Sequence, residues 1–223
     1  MTRAKTLVAE ALGTALLLAV VVGSGIMAEQ LSGGNVAIAL LANALATGAA
    51  LPVLIVVFAP LCGAHFNPVV TLASAASGDF RWRSVPLHVL AQIIGAFAGV
   101  LAAHAMFAEP LLQVSTHVRT GSAQWWSEFV ATFGLLAVIK GCRQRSLETT
   151  ALAVGGYITA AYWFTASTSF ANPAVTLARA ATDTFAGIRP ADTIGFIIAQ
   201  LLGAGSATLL FSWLQPAQTN KAD

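Results

Sequence analysis

The chain has 223 residues, 57% of them hydrophobic and only 9% charged, whereas roughly a quarter of the residues of a soluble protein are charged; this is a composition for lipid. A formal net charge of +2, with the basic residues scattered singly, excludes a nucleic-acid-binding protein. Cys62 and Cys142 have the spacing of neither a metal site nor a redox pair, and no metal or cofactor is expected.

In chain order, Met1 to Lys5 is basic and is followed by an apolar run that continues to Ala28. Further apolar runs follow it, so a retained first span is expected rather than a cleaved leader. At about 20 apolar residues per crossing, six spans are predicted: 6–28, 35–58, 85–107, 125–142, 149–167 and 191–214. Two apolar stretches remain, beginning at Asn67 and Asn172 and stopping at Gly78-Asp79 and Thr182-Asp183. Each is too short to cross, which predicts half-helices. With a cytoplasmic N-terminus, Arg3, Lys5, Arg81, Arg83, Arg143, Arg145 and Lys221 fall inside and Arg119 and Arg189 outside, so both termini are predicted to be cytoplasmic.

The two halves, about 1–110 and 124–215, repeat each other within one domain of 1–223. Glu10-Ala11-Leu12-Gly13-Thr14 answers Glu128-Phe129-Val130-Ala131-Thr132, and Asn67-Pro68 answers Asn172-Pro173. Ala91-Gln92-Ile93-Ile94-Gly95-Ala96 answers Ala199-Gln200-Leu201-Leu202-Gly203-Ala204. Three spans per half is an odd number, so the second copy runs upside down and the half-helices meet near the midplane from opposite faces. The predicted fold class is an all-α membrane protein with six transmembrane helices and two re-entrant half-helices in an inverted repeat.

The two short stretches begin Asn67-Pro68-Val69 and Asn172-Pro173-Ala174. Asn is a strong N-cap and Pro suits the first helical position, so each pair starts a helix whose free N–H groups and positive dipole end point to the bilayer centre. The Asn amides and the preceding backbone carbonyls offer hydrogen bonds to an uncharged solute, while the converging dipoles exclude cations. One Asn-Pro would read as an ordinary loop end; two at matching places in a repeat read as a pore.

The Glu-x-x-x-Thr of the first and fourth spans, the Gly63-Ala64-His65-Phe66-Asn67-Pro68-Val69-Val70-Thr71 loop, the second Asn-Pro-Ala and the Gln-x-x-Gly of the third and sixth spans together resemble the major intrinsic protein family, the aquaporins and glycerol facilitators. The resemblance implies one pore per subunit and a homotetramer, in a cell membrane and, for a bacterial member, the inner membrane. Family members commonly carry an Arg directly after the second Asn-Pro-Ala, where this chain has Val175. Counted without gaps, the other constriction positions fall on Thr47, Ala160 and Ser169, which implies a wide, uncharged filter. The run Tyr162 to Thr176 is similar to a bacterial branch associated with arsenite, so metalloid acids join glycerol and water as expected solutes. A general water and glycerol facilitator is the alternative.

Glu10 and Glu128 are expected to accept hydrogen bonds from the motif loops, with Gln92 and Gln200 satisfying the same re-entrant backbone. His65 reads either as a lining of the pore vestibule or as a buried prop of the loop. Cys62 reads as a small buried residue, and Arg179 as a cation snorkelling from the outward end of the second half-helix, the alternative being that it substitutes from another position for the absent filter Arg. A coupled transporter would need a titratable or cation-coordinating group at the midplane, and an enzyme a nucleophile with its base. The filter residues supply neither, so passive flow and no catalysis are expected.

Overall fold

The computed structural model describes residues 2–214; Lys221, assigned above to the inner side, lies outside them. Six long helices and two short ones make up the fold: α1 Arg3–Leu31, α2 Val36–Cys62, α3 Pro68–Ala76, α4 Val85–Met106, α5 Ser122–Gly141, α6 Leu147–Phe164, α7 Pro173–Arg179 and α8 Thr193–Leu214. The six predicted spans are α1, α2, α4, α5, α6 and α8, and the half-helices are α3 and α7. Four segments, α1, α2, Trp82–Met106 and Pro190–Leu214, are long and apolar enough to cross a membrane on composition alone. In α5 and α6 the apolar run is diluted by Glu128, Lys140, Glu148 and several Thr and Gly, of which Glu128 is buried in the interior and Glu148 is exposed near the start of α6. Apolar side chains such as Leu12, Val57, Ile94, Leu152, Ile198 and Leu209 remain exposed along the outer faces, as lipid-facing helices require.

The helix starts follow from local chemistry. Asn35 caps α2 by accepting the N–H groups of Ala37 and Ile38, and Ser146 caps α6 through Thr149 N–H. α2 ends at Gly63, whose φ of 92° is open to glycine without steric cost. The predicted fifth span overshoots its helix: α6 stops at Phe164, and 165–172 leave helical geometry to bring Asn172 into the interior.

The halves interlock. α1 packs on α4 and α2, α5 on α8 and α6, and α2 on α6 across the repeat. Each half-helix lies against both α4 and α8 and touches the other half-helix. Close approach explains the Gln-x-x-Gly motif. A Cβ on Gly95 would lie 2.1 Å from the carbonyl oxygen of Ala11, and one on Gly203 would lie 2.4 Å from that of Phe129. Only a residue without a side chain lets α4 and α8 press this tightly on α1 and α5.

Candidate functional site: a cavity between two opposed half-helices

Asn67 and Asn172 cap the half-helices as predicted. Asn67 Oδ1 accepts Val69 N–H at 3.0 Å, and Asn172 Oδ1 accepts Ala174 N–H at 3.0 Å and Val175 N–H at 3.3 Å. Each amide also reaches across the repeat: Asn67 Nδ2 donates to the Ala171 carbonyl and Asn172 Nδ2 to the Phe66 carbonyl, both at 2.8 Å. The two caps are therefore fastened to each other's loops, which fixes the ends of the half-helices tip to tip. Pro68, Val69, Pro173 and Ala174 are buried behind them.

The loops that reach these caps are strained. Phe66 and Ala171, each directly before its Asn, have φ of 51° and 48°, a region that costs a residue with a Cβ about 1–3 kcal/mol. Two fully buried carboxylates hold them there. Glu10 accepts Phe66 N–H at 2.5 Å, while Glu128 accepts Phe170 N–H and Ala171 N–H, both at 2.9 Å. Gln92 ties Glu10 to Thr71 at 2.8 and 2.9 Å, and Gln200 ties Glu128 to Thr176 at 2.6 and 2.9 Å. Of the four polar residues expected to satisfy the re-entrant backbone, the two carboxylates bond it directly, whereas Gln92 and Gln200 bond the carboxylate and threonine side chains instead.

Between the half-helices runs a cavity of about 300 Å³. Both Asn67 and Asn172 line it, with Leu17, Val21, Leu51, Ile139 and Val154 supplying apolar wall. His65 combines the two readings given for it. It lines the cavity, and its Nδ1 lies 3.1 Å from Thr71 Oγ1, which props the loop. Cys62 is buried at the end of α2, its thiol donating to the Phe58 carbonyl at 3.4 Å.

Of the four expected constriction residues, Thr47, Ser169 and Val175 line the cavity. Ala160 does not; it is exposed on the outer face of α6. The ungapped count from Asn172 crosses eight non-helical residues, 165–172, and a loop carries no memory of helical phase. Within α6 the inward positions are Val154, Ile158 and Tyr162, spaced by four residues, and position 160 stands roughly 200° around the helix from 158. Tyr162 takes the place given to Ala160, with its hydroxyl 3.3 Å from that of Thr47. The spacing of 154, 158 and 162 was the available signal.

Arg179 is the second correction. It does not snorkel: it is 3% exposed and lines the cavity. The expected C-terminal cation is turned inward because Phe170 and the Ala186 carbonyl offer it a seat there. Neither contact is legible in the sequence next to Arg179. Among the described residues no group of three His, Cys, Asp or Glu could hold a metal ion.

Six spans, two re-entrant half-helices in an inverted repeat, and a cavity past both of their tips define a membrane channel. Family comparison places it further. The Major intrinsic protein model matches residues 1–146 and 140–223. Aquaglyceroporin AqpS of Rhizobium meliloti (strain 1021) is 58% identical over 95% of this chain and 91% of its own length. Aquaporin NIP1-1 of Zea mays is 38% identical over 52% of this chain and 43% of its own. Among solved structures, the aquaglyceroporin from Plasmodium falciparum superposes with a TM-score of 0.73 at 22% identity, covering 94% of this chain and 96% of that one; at that identity the likeness speaks for the fold. The chain belongs to the major intrinsic protein family, a family of membrane channels rather than enzymes.

Proposed function

We propose that the chain is a passive channel for small uncharged solutes, passing glycerol and water and also metalloid acids such as arsenous acid, As(OH)3. The observation that carries this reading is the cavity itself. Its wall is mostly apolar, its polar groups include the two Asn caps, His65, Thr47, Tyr162, Ser169 and Arg179, and Val175 is a short apolar side chain among them. A polyhydroxylated neutral molecule finds both hydrogen-bonding groups and apolar surface on this wall. Val69, Ala174, Pro68 and Pro173 serve the caps, and His65 lies in the vestibule. The chain works as one domain, as a homotetramer with both termini in the cytoplasm; the packing of each half-helix on helices of both halves supports a single domain. Similarity to an aquaglyceroporin supports glycerol and water as passengers.

The test is stopped-flow light scattering on one proteoliposome preparation with water, glycerol, urea and arsenous acid. Glycerol and arsenous acid should permeate at rates independent of a proton or sodium gradient. Uptake that follows an ion gradient would instead make this a coupled transporter, and water flow alone would remove the wide-filter reading.

A further inference from the structure

Val175 and Arg179 lie one helical turn apart on α7, and both line the cavity. Among the described lining residues, Arg179 carries the one permanent charge. Its guanidinium carbon stacks 3.4 Å from the centroid of the Phe170 ring, and its Nε donates to the Ala186 carbonyl. No carboxylate among the described residues forms an ion pair with it. The acid of the neighbouring loop, Glu128, spends its oxygens on Ser167, Phe170, Ala171 and Gln200. Arg119 brings a second positive charge, its guanidinium carbon 5.2 Å from the same ring centroid.

An uncompensated buried charge is costly, so a fold that retains one generally uses it. Here the ring face supplies a cation–π seat and Ala186 anchors Nε, which together fix the plane of the fork. Nη1 and Nη2 hydrogen-bond to no protein acceptor among the described residues, so their donors are open to a molecule in the cavity.

We propose that Arg179 is a specificity-determining residue of the constriction. It supplies, from one turn farther along α7, the fixed positive charge absent at Val175, excluding cations and donating to solute hydroxyls while the bore beside Val175 stays open. This deepens the reading of the cavity as a channel for uncharged solutes and rests on it.

The experiment measures potassium conductance in planar bilayers and glycerol flux in proteoliposomes for the parent, Arg179→Gln and Arg179→Lys. Arg179→Gln keeps donors and loses the charge, so potassium leak should rise by about tenfold or more while glycerol still passes. Arg179→Lys keeps a charge that can be removed. Its leak should match the parent near neutrality and grow more steeply than the parent's as pH rises and the ammonium deprotonates, because a guanidinium does not titrate there. Arg119, Glu128 and Tyr162 surround this charge in both proteins, so the difference between their profiles isolates position 179. A parent-level leak in folded Arg179→Gln, or an Arg179→Lys profile that runs parallel to the parent's, overturns the proposal. Should Arg179→Gln not fold, the lysine profile decides alone. A parent that passes no glycerol defeats the channel reading separately, because the leak comparison needs no glycerol.

Discussion

Glu10 and Glu128 occupy matching places in the two halves, yet they carry unequal loads. Glu10 accepts one backbone N–H, from Phe66, and the amide of Gln92; its other oxygen lies 3.3 Å from His88 Nε2, without the alignment of a hydrogen bond. Glu128 accepts two backbone N–H groups, the Ser167 hydroxyl and the amide of Gln200. The loops explain the difference. The first leaves helical geometry for 63–67 and the second for 165–172, and the longer excursion strands more donors away from water. Each loop has three residues with positive φ, Gly63, Ala64 and Phe66 in the first and Thr168, Ser169 and Ala171 in the second, but only the first has a glycine among them. Symmetry of sequence motif is thus compatible with asymmetry of function. The second loop lines the cavity with Ser169 and Phe170, and the first with Ala64, His65 and Phe66.

The harshest way to break the comparison is to remove the carboxylates. Glu128→Leu strands two backbone donors that cost about 1–3 kcal/mol each when buried unpaired, so folded yield should collapse. Glu10→Leu should lose less, and the Gln variants, which keep an acceptor, less again. Monodispersity on size-exclusion chromatography and thermal denaturation in detergent measure this, and equal losses in the two halves would remove the asymmetry.

Symmetry should reappear at the helix contacts. Gly95→Val and Gly203→Val each force a side chain against a backbone carbonyl, and overpacking of this kind costs about 1–3 kcal/mol or more. Melting temperatures should fall by similar amounts, and a large difference would show that one α4-type contact yields where the other does not.

A smaller effect sharpens the filter. Val175→Arg should cut glycerol and arsenous acid flux by about tenfold, roughly 1.4 kcal/mol, and water flux less, since the added bulk faces the opening between Thr47 and Tyr162. The ratio of fluxes is the measurement, because partial misfolding lowers all of them together. Unchanged proportions would mean that Val175 does not bound the constriction.

The smallest effect concerns the Asp that follows each half-helix. Asp79 pairs with Arg143 at 2.5 Å. Asp183 accepts the Thr116 N–H at 2.7 Å and the Thr116 hydroxyl, which, despite a small opposing desolvation, hold its carboxyl below the usual range. A depressed folded-state pKa gives stability above the unfolded value, about 4, which is lost as pH falls through the folded one. Asp183→Asn should therefore flatten the dependence of melting temperature on pH below about 4. A slope identical to the parent's would show that the contact contributes nothing.

Much of this molecule is set by local sequence. Apolar run length separates six spans from two half-helices, Asn-Pro starts each half-helix, and the repeat of Glu, Asn-Pro and Gln-x-x-Gly fixes the inverted arrangement, because caps, lengths and periodicities act over a few residues. Tertiary structure decided what depends on rotation and reach. Ala160 faces outward and Tyr162 inward because helical phase is lost across 165–172. Arg179 is buried because the segments flanking α7 fold back to bring Phe170 and Ala186 against it. The exchange of Asn amides between the halves joins residues 104 and 106 positions apart, a distance in sequence over which only packing can say which groups meet.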